Sequence, residues 1–87
     1  MISKLNFDMA KPMLIYQLKK RGENSQLTND KWDTFNGWRE RGRSIRAGSK
    51  GYRVEIVVPF IKGYEGTKKI TGFSYRQKVL FSEDQTS

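Results

Sequence analysis

The 87-residue sequence has no cysteine and no histidine. The first absence excludes a disulfide framework and a thiol nucleophile. The two together exclude a zinc site of the usual ligands and imidazole general-base chemistry. A chain without cysteine also fits a reducing compartment. Long apolar runs are missing as well: the longest, Ile56–Ile61, is six residues and contains Pro59. No transmembrane span or signal-peptide core is present, so a soluble, cytoplasmic protein is expected. Acids are scarce, with nine Asp+Glu against seventeen Lys+Arg and a formal net charge of +8. With a pI near 10.0, that imbalance points first to a polyanion as partner.

What is present argues for a folded chain. A hydrophobic share of 36% and a mean hydropathy of −0.76 lie toward the polar end of globular proteins. The 13% aromatic content pulls the other way, because disordered chains are poor in aromatics. The length fits one small domain with a thin core, burying ~60–65% of the surface exposed when unfolded. Fraying is expected at Met1–Lys4 and Asp84–Ser87.

The spacing predicts a first helix over Pro12–Arg21. Pro12 suits a first turn, Leu14 and Leu18 share a face with Ile15 beside them, and Gly22 follows as a left-handed stop. Glu23–Gln26 is polar and reads as a loop. A second helix is predicted over Asn29–Arg41. Thr28 or Asn29 would cap it, Asp30 and Asp33 would sit in its first turn, and Trp32, Phe35 and Trp38 would form an aromatic stripe. From Tyr52 the period changes to two, with Tyr52, Val54, Ile56, Val58 and Phe60 alternating against Arg53, Glu55, Val57 and Pro59. Lys62–Lys69 reads as a glycine-containing hairpin loop. A second strand follows, with Phe73, Tyr75, Gln77, Val79 and Phe81 on one face and Arg76 and Lys78 on the other. The expected class is α+β: a small single domain over 1–87, with two N-terminal helices packed on a C-terminal antiparallel hairpin or small sheet.

The densest chemical feature is Arg39–Arg53. It holds Arg39, Arg41, Arg43, Arg46, Lys50 and Arg53 against Glu40 alone, a local net of +5. Gly48, Ser49 and Gly51 lie within it. A glycine-containing turn lets backbone N–H groups approach a phosphate while flanking arginines fork onto its oxygens. The plain alternative is a helix end with its usual cations followed by a solvated turn. No GxxxxGK[ST] pattern is present, so a nucleotide-hydrolysing loop is not expected. Tyr52 and Tyr75 are candidate stacking residues, since bases stack on exposed π faces beside a basic groove. Trp38 stands open between core and surface, while Trp32, Phe35, Phe60, Phe73 and Phe81 are read as core. Arg76 and Lys78 would extend the groove along the second strand. Asp30 and Asp33 are explained by capping and Glu83 and Asp84 by a solvated tail, so no carboxylate cluster for a divalent ion, no cofactor and no enzyme activity are expected. The apolar face of Lys11–Arg21 is too short for membrane binding.

From Trp32 to Gln85 the chain resembles a known family. The string Trp38-Arg39-Glu40-Arg41-Gly42-Arg43-Ser44-Ile45-Arg46-Ala47-Gly48-Ser49-Lys50-Gly51 resembles the W…G…(V/I)(R/K)KGEKG signature of ArdC-type antirestriction proteins, in their N-terminal single-stranded-DNA-binding domain. In that domain a strand ending in proline, a loop and a strand reading roughly VF…QT follow; Val54–Pro59 and Val79–Thr86 stand in those places. The resemblance implies a DNA-binding domain carried by plasmids, conjugative elements or phages, acting against host defences inside a bacterial cell. Family members usually continue into a zinc metallopeptidase domain with HExxH. This chain has no histidine, so a stand-alone domain without peptidase activity is expected. Residues 1–26 form a helix-containing segment outside the resemblance, and 27–86 the ArdC-like nucleic-acid-binding region. The expected partner is single-stranded DNA, with RNA not separable on sequence. The alternative is a protein inhibitor, similar to anti-CRISPR proteins, that touches a host defence nuclease directly. Oligomeric state stays open, because a hairpin edge could pair across a two-fold axis.

Overall fold

The computed structural model describes residues 2–87, in the order helix α1 (Lys4–Arg21), strand β1 (Trp32–Thr34), helix α2 (Phe35–Glu40), strand β2 (Tyr52–Glu65) and strand β3 (Lys68–Ser82). Single 3-10 turns at Asn29–Lys31 and Glu83–Gln85 precede β1 and follow β3. The expected α+β class is observed, with α1 laid on a three-stranded antiparallel sheet of order β1-β3-β2.

Helix α1 begins at Ser3, whose hydroxyl accepts the Asn6 N–H at 3.2 Å. The expected start at Pro12 is therefore too late. Pro12 lies in the helix interior, where its missing N–H forfeits one turn bond. Burial of Phe7, Ala10, Leu14 and Leu18, spaced three or four apart, offsets that loss. Leu5 and Tyr16 face solvent at 71% and 67% exposure, so the helix is apolar on two sides and its period is blurred. Gly22, at φ 68, closes the helix onto the carbonyls of Leu18 and Lys19 as expected.

The predicted helix Asn29–Arg41 is instead a turn, a strand and a short helix. Trp32, Asp33 and Thr34 pair with Ser82, Phe81 and Leu80, and this ladder overrides the three-residue spacing that mimicked a helix. Thr34 then caps α2, its hydroxyl accepting the Gly37 N–H at 3.0 Å. The aromatic stripe is consequently broken. Trp32 and Trp38 are buried, whereas Phe35 is 52% exposed, against the expectation that it belongs to the core.

The predicted loop Lys62–Lys69 is mostly paired. β2 and β3 run in register to Glu65↔Lys68, leaving the two-residue turn Gly66-Thr67 with Gly66 at φ 63. Opposite residues share a face, so Tyr52, Val54 and Ile56 lie with Leu80, Lys78 and Arg76 on the face that receives α1. Arg53, Glu55, Val57 and Pro59 lie with Val79, Gln77, Tyr75 and Phe73 on the other. The core gathers Phe7, Ala10, Leu14, Leu18, Trp32, Tyr52, Val54 and Leu80 at the base of this ribbon. Each large side chain buried there contributes roughly 1.5–3 kcal/mol.

Phe60 and Phe73 were expected in that core and are 44% and 68% exposed. On the α1 face the ribbon outruns the helix beyond Ile56, which exposes Phe60, and Phe73 lies on the opposite face, where α1 does not pack; the molecule measures 51 × 28 × 20 Å. Phe81 is half-buried, its ring 6.5 Å from that of Phe35. The expected C-terminal fraying is also corrected. Thr86 bridges to Ile45, and the Ser87 N–H donates to the Ser44 carbonyl at 2.9 Å. Lys4 is already helical, and Met1 lies outside the described residues. Among the described residues no helix is long and apolar enough to cross a membrane.

Candidate nucleic-acid interface

The basic segment Arg39–Arg53 connects the end of α2 to the start of β2, and folding divides its cations. Arg41 and Arg43 turn inward around Trp38. The Arg41 Nη2 pairs with the buried Asp33 carboxylate at 2.9 Å and its Nη1 donates to the Asp30 carbonyl, with the guanidinium 4.5 Å from the Trp38 ring centre. Arg43 Nε donates to the Thr86 hydroxyl at 2.8 Å and its guanidinium lies 5.8 Å from the same ring. Trp38 itself is 1% exposed and donates its indole N–H to the Phe81 carbonyl at 2.8 Å. It belongs to the packed interior, so it offers no stacking face.

Tyr52 is corrected likewise. It is fully buried edge-on against Trp32, with ring centres 5.1 Å apart. Its hydroxyl donates to the Glu23 carboxylate, and Arg21 lies 3.9 Å above its ring. Burial first, then the bond to Glu23, pushes the Tyr52 phenol up to about 12. Tyr52 fastens the loop after α1 to the sheet and presents nothing to a base.

Arg39, Arg46, Lys50 and Arg53 remain exposed, and their charged ends make no hydrogen bond, ion pair or ring contact among the described residues. Arg46 and Lys50 flank a tight turn in which Gly48 takes φ 83 and the Ser49 N–H reaches the Arg46 carbonyl at 3.1 Å. The turn borders an open cleft of about 630 Å³, whose lining also includes Arg21, Glu23 and Asp84. Arg21, the last residue of α1, joins this turn from outside the basic segment. It donates to the carbonyls of Lys50 and Gly51 at 2.9 and 2.7 Å and so clips α1 to the basic segment. Gln85 adds a bond to the Lys50 carbonyl at 2.7 Å. The pairing spans 29 residues and leaves no local sequence signal.

On the second strand the structure separates residues that the sequence grouped. Tyr75 is 74% exposed on the uncovered face, whereas Arg76 and Lys78 point to the α1 face. Alternation along a strand makes a groove containing all three impossible. Arg53 does share the Tyr75 face, as does Phe73. Phe73 was assigned to the core; its place beside Gln77 and Tyr75 on one face was the available sign that this face meets water. Among the described residues no group of three or more potential ligands is gathered to hold a metal.

No curated protein and no solved structure matches the chain. The model of one family, described as the N-terminal domain of anti-restriction factor ArdC, matches residues 9–84. The match reaches back into α1, beyond the Trp32–Gln85 stretch in which the sequence resemblance was read. That extension agrees with a core in which Leu14 and Leu18 pack with Tyr52 and Val54 as one unit. The chain thus belongs to the family of the N-terminal domain of anti-restriction factor ArdC.

Proposed function

We propose that this chain is a non-enzymatic, sequence-tolerant binder of single-stranded DNA that serves a phage or other mobile element in counter-defence. The supporting observation is the division of its basic segment. The fold uses the guanidinium groups of Arg21, Arg41 and Arg43, yet the charged ends of Arg39, Arg46, Lys50 and Arg53 make no contact among the described residues. Unpaired cations on a chain of net charge +8 repel one another and weaken the compact state, and a polyanion relieves that repulsion. Arg46 and Lys50 would meet phosphates beside the Gly48–Ser49 turn, with the Ser49 hydroxyl adding a donor.

The test is fluorescence anisotropy with labelled single-stranded DNA, duplex and RNA of equal length across a salt series. Single-strand preference is expected, with log K falling against log[salt] by about 0.7 per phosphate neutralised. Absence of nucleic-acid binding, together with salt-insensitive stoichiometric binding to a restriction or CRISPR nuclease, would replace this reading with direct inhibition of that nuclease.

A further inference from the structure

We propose that the uncovered face of the β2–β3 ribbon is a base-stacking platform for single-stranded DNA, built on Phe73 and Tyr75. The proposal rests on the single-strand-binding reading above and adds where the bases go. Phe73 and Tyr75 are 68% and 74% exposed and lie two residues apart on one face of β3. That spacing sets their rings ~6.6–6.8 Å apart along the strand, enough to seat one base on each. Neither ring serves the core, which ends near Leu80. An apolar two-stranded ribbon standing free in water is marginal without something laid against it.

The surroundings select the occupant. Pro59 is paired opposite Phe73 and Val57 opposite Tyr75, giving the rings an aliphatic border. Arg53 lies on the same face at the base of the ribbon, and Lys69 lies on it toward the tip, with Glu55 as the acid between them. Gly51 backs onto Val79 and Phe81 of this face, so the turn carrying Arg46 and Lys50 leads directly onto it. A strand whose phosphates start at that turn meets cations at both ends of the platform and π faces in its middle. Aromatic faces accept any base, which gives sequence tolerance, and a duplex has no free base faces to offer. The aliphatic border suits a deoxyribose, because a ribose 2′-hydroxyl laid on Val57 or Pro59 would lose its hydrogen bonds.

The experiment compares the full chain with a Phe73→Leu, Tyr75→Leu double variant, which keeps apolar surface and removes the π faces. The probes are labelled oligo-dT, oligo-U and a mixed-sequence duplex, each of about 15 nucleotides. Circular dichroism verifies the fold, and sedimentation reads the oligomeric state. At least about a tenfold loss of oligo-dT affinity is expected, with the salt slope unchanged because no phosphate contact is removed. Unchanged affinity in the folded variant overturns the platform and leaves the single-strand reading standing. A parent chain that binds no single strand overturns both. Tighter binding of oligo-U than oligo-dT overturns the assignment to DNA. A parent dimer that the variant converts to monomer, with oligo-dT affinity kept, gives the face to a second copy and overturns the proposal as well.

Discussion

The inner and outer halves of the β2–β3 ribbon share one alternating pattern of apolar and polar residues, yet their fates differ. At the base of the α1 face Tyr52, Val54 and Leu80 are buried to 2% exposure or less; further out on that face Phe60 is 44% exposed, and on the opposite face Phe73 and Tyr75 are 68% and 74% exposed. The strands hardly change between the two regions. What changes is the cover, because α1 lies on one face only and packs only against the base of that face. Alternation states which residues share a face. Whether that face is core or surface depends on what the rest of the chain lays over it.

The widest gap between the two halves should appear in stability. Trp32→Ala removes the largest side chain at the base and should cost about 3–5 kcal/mol by urea denaturation. Replacing Phe73 by Ala should stay within about 1 kcal/mol, as exposed positions do. Equal costs would erase the distinction between base and arm. The same division runs through the arginines. Arg41→Met removes the guanidinium paired with the buried Asp33 carboxylate and should cost about 2 kcal/mol, below the range for fully buried pairs because Arg41 is partly solvated. Arg46→Met should leave the melting temperature nearly unchanged.

Binding should show the reverse order. Reversing charge at Arg46 and Lys50 together should make the slope of log K against log[salt] shallower by about 1.4, at about 0.7 per phosphate contact, in a fully folded protein. An unchanged slope would remove these two cations from the interface. The smallest effect concerns Tyr52. Its phenol titrates near 10.0 when unfolded and near 12 in the fold. The neutral form is thus favoured by folding, and the stability it contributes is whole below pH 10 and drains away as pH rises toward 12. Tyr52→Phe should be less stable by about 1 kcal/mol at neutral pH, through loss of the Glu23 bond, and should lack this alkaline decline. Chemical denaturation from pH 8 to pH 12 reads both.

Much of the fold was legible where the signal is local. The stop at Gly22, the start of β2 at Tyr52 and the sharing of one face by Phe73, Tyr75 and Val79 follow from backbone freedom and a two-residue period. Misreadings came where a distant partner decided. Trp32–Thr34 looked helical until Leu80–Ser82 offered a ladder. Trp38 and Tyr52 looked available until Arg41, Arg43 and Arg21 closed over them. Of the candidate site, the cations of Arg39–Arg53 were legible as a cluster, but their division into structural and free groups was not.

The sequence by itself determined the α+β class, the excess of positive charge, the absence of thiol and imidazole chemistry, and a basic glycine-containing turn before an alternating strand. These are set by composition and by contacts between near neighbours. Tertiary structure alone decided which aromatics face water and which arginines keep their charge available. Both depend on partners distant in sequence: α1 covers one face at the base of the ribbon and leaves Phe73 and Tyr75 exposed on the other, and Asp33 and Thr86 engage Arg41 and Arg43.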